Sequence, residues 1–148
     1  MFSTTTKYAV KALVHLARAP AGASILGREL AQRTCIPLHY LSKIMLVLRN
    51  AGLVDTTRGL GGGYRLSKPA DQILLEEATK LFEAGSTEPG CLLAERLKCS
   101  DRAPCSAHRA WKGLRRAYID FLGSTTIEDI AGPRRPAARD RLQATNKS

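Results

Sequence analysis

The stretch PLHYLSKIMLVLRNAG, residues 37–52, decides the fold. Pro37 is well suited to the first turn of a helix, and Gly52 to the left-handed residue that ends one. The apolar residues between them follow helical spacing and therefore share one face: Leu41, Ile44, Met45 and Leu48. The pattern predicts an amphipathic helix that ends at Gly52.

Two further helices are predicted before this one. Segment 6–19 has apolar residues at helical spacing, with the Thr4–Thr6 run as a cap, and segment 25–33 forms a shorter helix. A tight turn joins 25–33 to the helix at 37–52, so the pair is a helix-turn-helix candidate. Two core helices of an unrelated bundle are the alternative. Cys35, in the turn, is interpreted as a small buried hydrophobic residue.

The sequence after this pair predicts a β-hairpin. LVDTTR (53–58) and GYRLS (63–67) are short β-prone segments joined by the glycine-rich GLGGG (59–63). The order helix, turn, helix, hairpin is that of a winged helix. The loop lacks the Lys-Ser/Thr pair of a phosphate-binding P-loop. We expect its glycines to let the backbone approach DNA closely beside Arg58.

The C-terminal half is predicted to contain two more helices and a tail. A fourth helix, at 74–84, completes a winged domain over 1–85, and a cysteine-rich loop follows at 86–108. A long helix at 109–130 carries an apolar stripe, which we interpret as a dimerisation surface: Trp111, Leu114, Tyr118, Phe121 and Leu122. The alternative is that this helix folds back on its own winged domain. Residues 131–148 are predicted to be a disordered basic tail.

Composition indicates an anionic partner. The formal net charge is +10, which favours nucleic acid, although a basic face kept for solubility is the alternative. The N-terminus does not resemble a signal peptide, and no stretch is apolar enough for a membrane span, so we expect a cytoplasmic protein with reduced thiols. The histidines lie in no Ser-His-Asp or paired-carboxylate pattern, and we expect no enzyme.

Three of the four cysteines fall in one polar segment. Cys91, Cys99 and Cys105 are followed closely by His108. Thiolates are soft ligands for zinc, copper(I) or iron–sulfur clusters. The C-x₂₋₄-C spacing of zinc knuckles is absent, and the wide, irregular spacing suits a loop wrapped around a cluster. A zinc site and a thiol redox switch remain open at this point.

These features together resemble the iron–sulfur-responsive winged-helix regulators of the IscR, NsrR and RirA type. The matching segments are KYAVKALVHLA (7–17), YLSKIMLVLRNAGLV (40–54), RGLGGGYRLSKP (58–69) and the three clustered cysteines. The resemblance covers about residues 1–130. It implies a dimeric transcription factor, which we expect to be a repressor, with a cluster bound between the winged helix and a long dimerisation helix.

The resemblance also implies the ligand set. In the IscR-like members a histidine three residues after the last cysteine is the fourth ligand of a [2Fe–2S] cluster, and His108 matches that position. The seven-residue gap between Cys91 and Cys99 departs from the IscR pattern and resembles the RirA-like branch. Lys7 stands where NsrR-like proteins carry an acidic ligand of a [4Fe–4S] cluster. We expect [2Fe–2S], with [4Fe–4S] as the alternative.

The winged helix predicts which residues face DNA. The second helix of a helix-turn-helix enters the major groove by its N-terminal end, and an arginine on the wing suits a narrow minor groove. The predicted DNA-contact residues are Arg28, Leu38, His39, Tyr40, Ser42, Lys43, Arg58, Gly61 and Gly62. Tyr40 is equally compatible with a partly buried position. Two copies would read a roughly palindromic double-stranded operator, with an affinity that the cluster alters.

Overall fold

A computed structural model describes residues 2–59, 62–83, 91, 93 and 99–133. The elements follow in the order α1 (Thr4–Arg18), α2 (Gly27–Thr34), α3 (Leu38–Asn50), β1 (Val54–Thr57), β2 (Gly63–Leu66), α4 (Leu75–Lys80), α5 (His108–Ser124) and α6 (Ile127–Ala131), with a 3-10 turn at Ala70–Gln72. The predicted fold class, mainly helical with a two-stranded antiparallel wing, is confirmed.

The core lies where α1, α2 and α3 meet. All four residues of the predicted α3 face are buried, and they pack with Leu13 of α1 and Leu30 of α2, which are both fully buried. Burying a leucine-sized side chain contributes about 1.5–3 kcal/mol. Gly52 has φ 77° and follows the last turn of α3, as the sequence predicts.

The wing is held to the helical domain by Ile25. The backbone N–H of Ile25 donates to the Tyr64 carbonyl at 2.9 Å, and the Tyr64 N–H donates back at 2.8 Å. A side chain at Gly63 would meet the Ile25 carbonyl oxygen, so only glycine allows this approach. The prediction that a helix begins at 25 is therefore wrong, because Ile25 pairs with the hairpin and α2 begins at Gly27.

The turn between α2 and α3 is made by Cys35. Its φ of 55° is left-handed, and its N–H donates to the carbonyls of Ala31 and Gln32, closing α2. Lys11 of α1 donates to the Thr34 carbonyl at 2.5 Å, which ties α1 to the same helix end. Cys35 is exposed, so its interpretation as a buried hydrophobic residue is wrong.

The predicted long helix at 109–130 is two helices. The backbone of Thr125 is extended and accepts the Leu75 N–H at 2.8 Å, which breaks the helix. Thr126 then caps α6 through a capping box with Asp129, and α6 packs against α1. Leu122 is buried in the core, which corrects its assignment to a dimerisation surface.

The helix predicted at 6–19 begins two residues earlier, at Thr4, whereas other elements are shorter than predicted or lie outside the described residues. Within the described part, α4 covers Leu75–Lys80 rather than 74–84. The predicted boundary at 85 and all but the first three residues of the predicted tail fall outside it. Among the described helices, none has the length and apolar character needed to cross a bilayer.

Candidate functional site

Cys91, Cys99 and Cys105 come together beside the first turn of α5. Their sulfur atoms all lie within 4.8 Å of one another, and Sγ of Cys91 is 3.4 Å from Sγ of Cys105. All three are half-buried and none is in a disulfide. Soft sulfur donors at this separation can hold a metal ion or a cluster.

His108 begins α5 and lies at the edge of this cysteine group. Its Nδ1 is 3.0 Å from Sγ of Cys99. Its Nε2 is 2.9 Å from Oδ1 of Asp101, whose two oxygens also accept from Nζ of Lys112 at 2.7 and 2.9 Å. Lys112 follows His108 by one helical turn, which places both on one side of α5. The imidazole therefore lies between sulfur and carboxylate.

Two groups of the site have pKa values that differ from their ordinary ones. The Cys105 N–H acts to lower the pKa of the Cys99 thiol, but desolvation and the neighbouring Cys105 and Cys91 thiols outweigh it, so the pKa is raised. Hydrogen bonds from Lys112 and His108 lower the pKa of Asp101 to about 2. At neutral pH Cys99 is therefore a thiol and Asp101 a carboxylate, and a metal would have to displace the Cys99 proton.

Asp101 and Lys112 were not anticipated from the sequence. The only available signals were an acidic residue between two cysteines and a lysine four residues after the histidine. Neither spacing predicts a contact, because 101 and 108 are joined through an irregular turn. Beside them a cavity of about 410 Å³ is lined by residues from the loop and α5, including Trp111, Arg115, Arg116 and Ile119.

The N-terminal half of α3 presents most of the predicted DNA-contact residues. Leu38, His39, Ser42 and Lys43 are exposed. Tyr40 is half-buried, with its hydroxyl hydrogen-bonded to Thr5 and its ring 5.7 Å from that of Tyr8 in an edge-to-face arrangement. Tyr40 therefore anchors α3 to α1 through both its hydroxyl and its ring.

The wing and α2 supply the other predicted contacts. Arg28 and Arg58 are exposed. Gly61 lies outside the described residues, whereas Gly62 is buried, and a Cβ there would lie 2.5 Å from the Thr57 carbonyl oxygen. The prediction that Gly62 faces DNA is therefore wrong, since its role is to close the turn.

Some residues of the stripe predicted for dimerisation pack against the core, and others are exposed. Leu122 is buried, and Tyr118 packs against the core with its ring 5.8 Å from that of Phe2. Leu114 and Phe121 remain 52% and 47% exposed, and Trp111 is half-buried. The C-terminal part of α5 thus folds back on its own domain, while an apolar strip stays open.

Comparison with known proteins decides the family. The profile of the Rrf2 family, described as iron-dependent transcriptional regulators, matches residues 2–133. The chain belongs to the Rrf2 family. An Rrf2-type relative, the HTH-type transcriptional regulator IscR of Cereibacter sphaeroides, is 36% identical over 137 residues, covering 86% of this chain and 84% of its own.

Solved structures agree with the Rrf2 assignment. The chain is similar to CymR, the global cysteine regulator of B. subtilis, with a TM-score of 0.73 and 30% identity over 88% of this chain and 95% of that one. T. potens IscR shares the fold, with a TM-score of 0.68 and 24% identity over 97% and 90% of the two chains. This Rrf2 chain is therefore a helix-turn-helix transcriptional regulator with a DNA-binding winged helix.

Proposed function

We propose that this Rrf2 protein is a repressor whose operator affinity is switched by an iron–sulfur cluster. The observation that carries the proposal is the convergence of three cysteine sulfurs within 4.8 Å. We assign Cys91, Cys99, Cys105 and His108 as ligands. Three soft sulfur donors and one borderline imidazole nitrogen fit a [2Fe–2S] cluster, with [4Fe–4S] as the alternative.

DNA recognition is assigned to α3 and the wing. Leu38, His39, Ser42 and Lys43 are the exposed residues that would enter the major groove. Arg58 would enter the minor groove from the wing, and Arg28 would contact phosphate. Arg33 is paired with Glu29 at 2.5 Å, so a phosphate contact by Arg33 would compete with that ion pair.

A homodimer fits the open strip on α5. Leu114 and Phe121 are seven residues apart, so they share one face of α5, and both are about half exposed. Pairing this strip with a second copy would bury it and place two α3 helices on one duplex. Such a dimer reads a roughly palindromic operator whose half-site separation is set by the α5 contact.

The switch is a difference in affinity between two arrangements of the chain. When bound, the cluster supplies chemistry that responds to iron supply, oxidants or nitric oxide. His108 is the first residue of α5, so ligation by His108 and the cysteines ties the loop to the helix that also carries the dimer strip. A ligand that prefers one placement of α5 shifts the population of dimers competent for DNA binding.

A cluster-free thiol switch is the second candidate. Sγ of Cys91 and Sγ of Cys105 are 3.4 Å apart, so a two-electron oxidant such as a peroxide could remove both thiol hydrogens and join them in a disulfide after a small movement. The similar CymR of Staphylococcus aureus has been solved in an oxidized form, which also favours this candidate. A zinc site built from the same residues is the other cluster-free form.

The test is anaerobic purification followed by iron and sulfide assay with absorption and Mössbauer spectra. Two irons and two sulfides per chain in the wild type, with altered spectra in His108→Ala, would support the cluster. Cys35→Ser is the matched control because Cys35 lies outside the cysteine group. A zinc-bearing or metal-free protein would support the second candidate.

DNA affinity tests the switch itself. Holo and apo forms are titrated with candidate operator duplexes at one salt concentration, because phosphate contacts make affinity steeply salt-dependent. Equal affinities on every duplex would refute the switch. Lys43→Ala should weaken binding in both forms without changing the iron content.

A further inference from the structure

Asp101 is not one of the proposed ligands, but it contacts His108, which is, and Lys112, which is not. Asp101 contacts His108 on the side opposite the cysteines, with Oδ1 2.9 Å from Nε2. The same carboxylate accepts two hydrogen bonds from Lys112. Because the carboxylate accepts and cannot donate, the nitrogen that contacts it carries the proton.

We propose that Asp101 is a positioning residue that presents Nδ1 of His108 to the cysteine group. This inference rests on the proposed metal site. With the proton on Nε2, the lone pair of Nδ1 points towards Sγ of Cys99, 3.0 Å away. A histidine that ligates a metal commonly donates its other N–H to a carboxylate, which fixes both its tautomer and its orientation.

Lys112 holds the carboxylate in place. It lies one turn along α5 from His108 and contacts both oxygens of Asp101. The side chain of Asp101 is 71% exposed, so the ion pair alone adds little to the stability of the fold. Its consequence is geometric: α5 carries the histidine and also the residue that fixes the carboxylate behind it.

The experiment compares Asp101→Ala with Asp120→Ala. Asp120 is an exposed aspartate on α5, the helix that carries His108, and serves as the matched control. The first readout is the ¹⁵N spectrum of the histidine side chains in the metal-free protein, with His108→Ala used for assignment. The wild type and Asp120→Ala should hold His108 as the Nε2–H tautomer, whereas Asp101→Ala should populate Nδ1–H.

The second readout is affinity for Co²⁺, followed by thiolate-to-metal absorption. Loss of a carboxylate behind a ligating histidine typically weakens metal binding about 10–100-fold, which is the range expected for Asp101→Ala. Asp101→Asn should lose less, because its amide oxygen still accepts from Nε2–H. Lys112→Ala should fall between the wild type and Asp101→Ala.

The two readouts separate this inference from the proposed function. An unchanged His108 tautomer in Asp101→Ala would overturn the positioning role, even if the wild type binds metal. A changed tautomer with unchanged Co²⁺ affinity would overturn it as well. If the tautomer changes in Asp101→Ala but the wild type takes up neither Co²⁺ nor a cluster, the ring orientation is confirmed and the metal site is refuted.

Discussion

Gly63→Ala should detach the wing from the helical domain. An added Cβ would lie 2.2 Å from the Ile25 carbonyl oxygen and 2.5 Å from its carbon, and backbone atoms cannot move away as a flexible side chain would. The two hydrogen bonds between Ile25 and Tyr64 must then break. At about 0.5–1.5 kcal/mol for each net hydrogen bond, the expected loss is about 1–3 kcal/mol. A chain of this size loses about 2–4 °C of Tm for each kcal/mol, so the expected fall in Tm is about 2–12 °C.

The assay combines thermal unfolding with native-state hydrogen exchange. Gly22→Ala is the control, because Gly22 also has a positive φ but has no neighbouring atom within 4 Å of an added Cβ. It should cost about 1 kcal/mol of left-handed strain. It should also leave the amides of Ile25 and Tyr64 protected, whereas Gly63→Ala exposes them. If those two amides stay protected in Gly63→Ala, with its Tm within 1 °C of the wild type, the argument from backbone contact is refuted.

Three further predictions concern α5, Glu83 and the proposed dimer. Gly113→Ala should raise the free energy of unfolding by about 0.5–1 kcal/mol, because Gly113 lies inside α5 with open space around it; a lower Tm would contradict this. Glu83 accepts hydrogen bonds from the Thr6 hydroxyl and the Ser3 N–H, which lower its pKa. The stability that Glu83 contributes is therefore present above the ordinary glutamate pKa of about 4.3 and is lost as the pH falls through the lowered pKa. In denaturant titrations, the free energy of unfolding should therefore fall less on acidification in Glu83→Gln than in the wild type. Phe121→Asp should convert the proposed dimer to monomers in light scattering, and a persistent dimer would count against the α5 strip.

The helix-turn-helix and wing could be predicted because local patterns determine them. The α3 spacing, the glycine at 52 and the glycine-rich loop each act over a few residues and agree with one another. Cys35 shows where this reasoning fails. Composition favours burial of a cysteine, but here Cys35 is the left-handed residue of the turn between α2 and α3 and lies on the surface.

The structure of the C-terminal half could not be predicted as well, because it depends on contacts between segments that are distant in the sequence. The apolar stripe on α5 predicts a buried face but does not identify its partner. Leu122 is buried because Thr125 breaks the helix and pairs with Leu75, fifty residues earlier in the sequence. Asp101 was missed for the same reason, since its meeting with His108 depends on how an irregular loop turns. The clustering of three cysteines in one segment indicated the site, but the short distances between their sulfur atoms depend on how the loop folds.

Because α5 ends at the break before Thr125, its C-terminal end is anchored to the core and its N-terminal end carries His108. Leu122 and the capped α6 secure the C-terminal end against the core, while His108 lies about 21 Å away at a rise of about 1.5 Å per residue. A pivot of about 5° at the fixed end displaces the His108 end by about 2 Å, comparable to one metal–ligand bond. A small rotation of α5 about Leu122 is therefore amplified at His108, and a change of one bond length at His108 corresponds to only a few degrees of helix tilt.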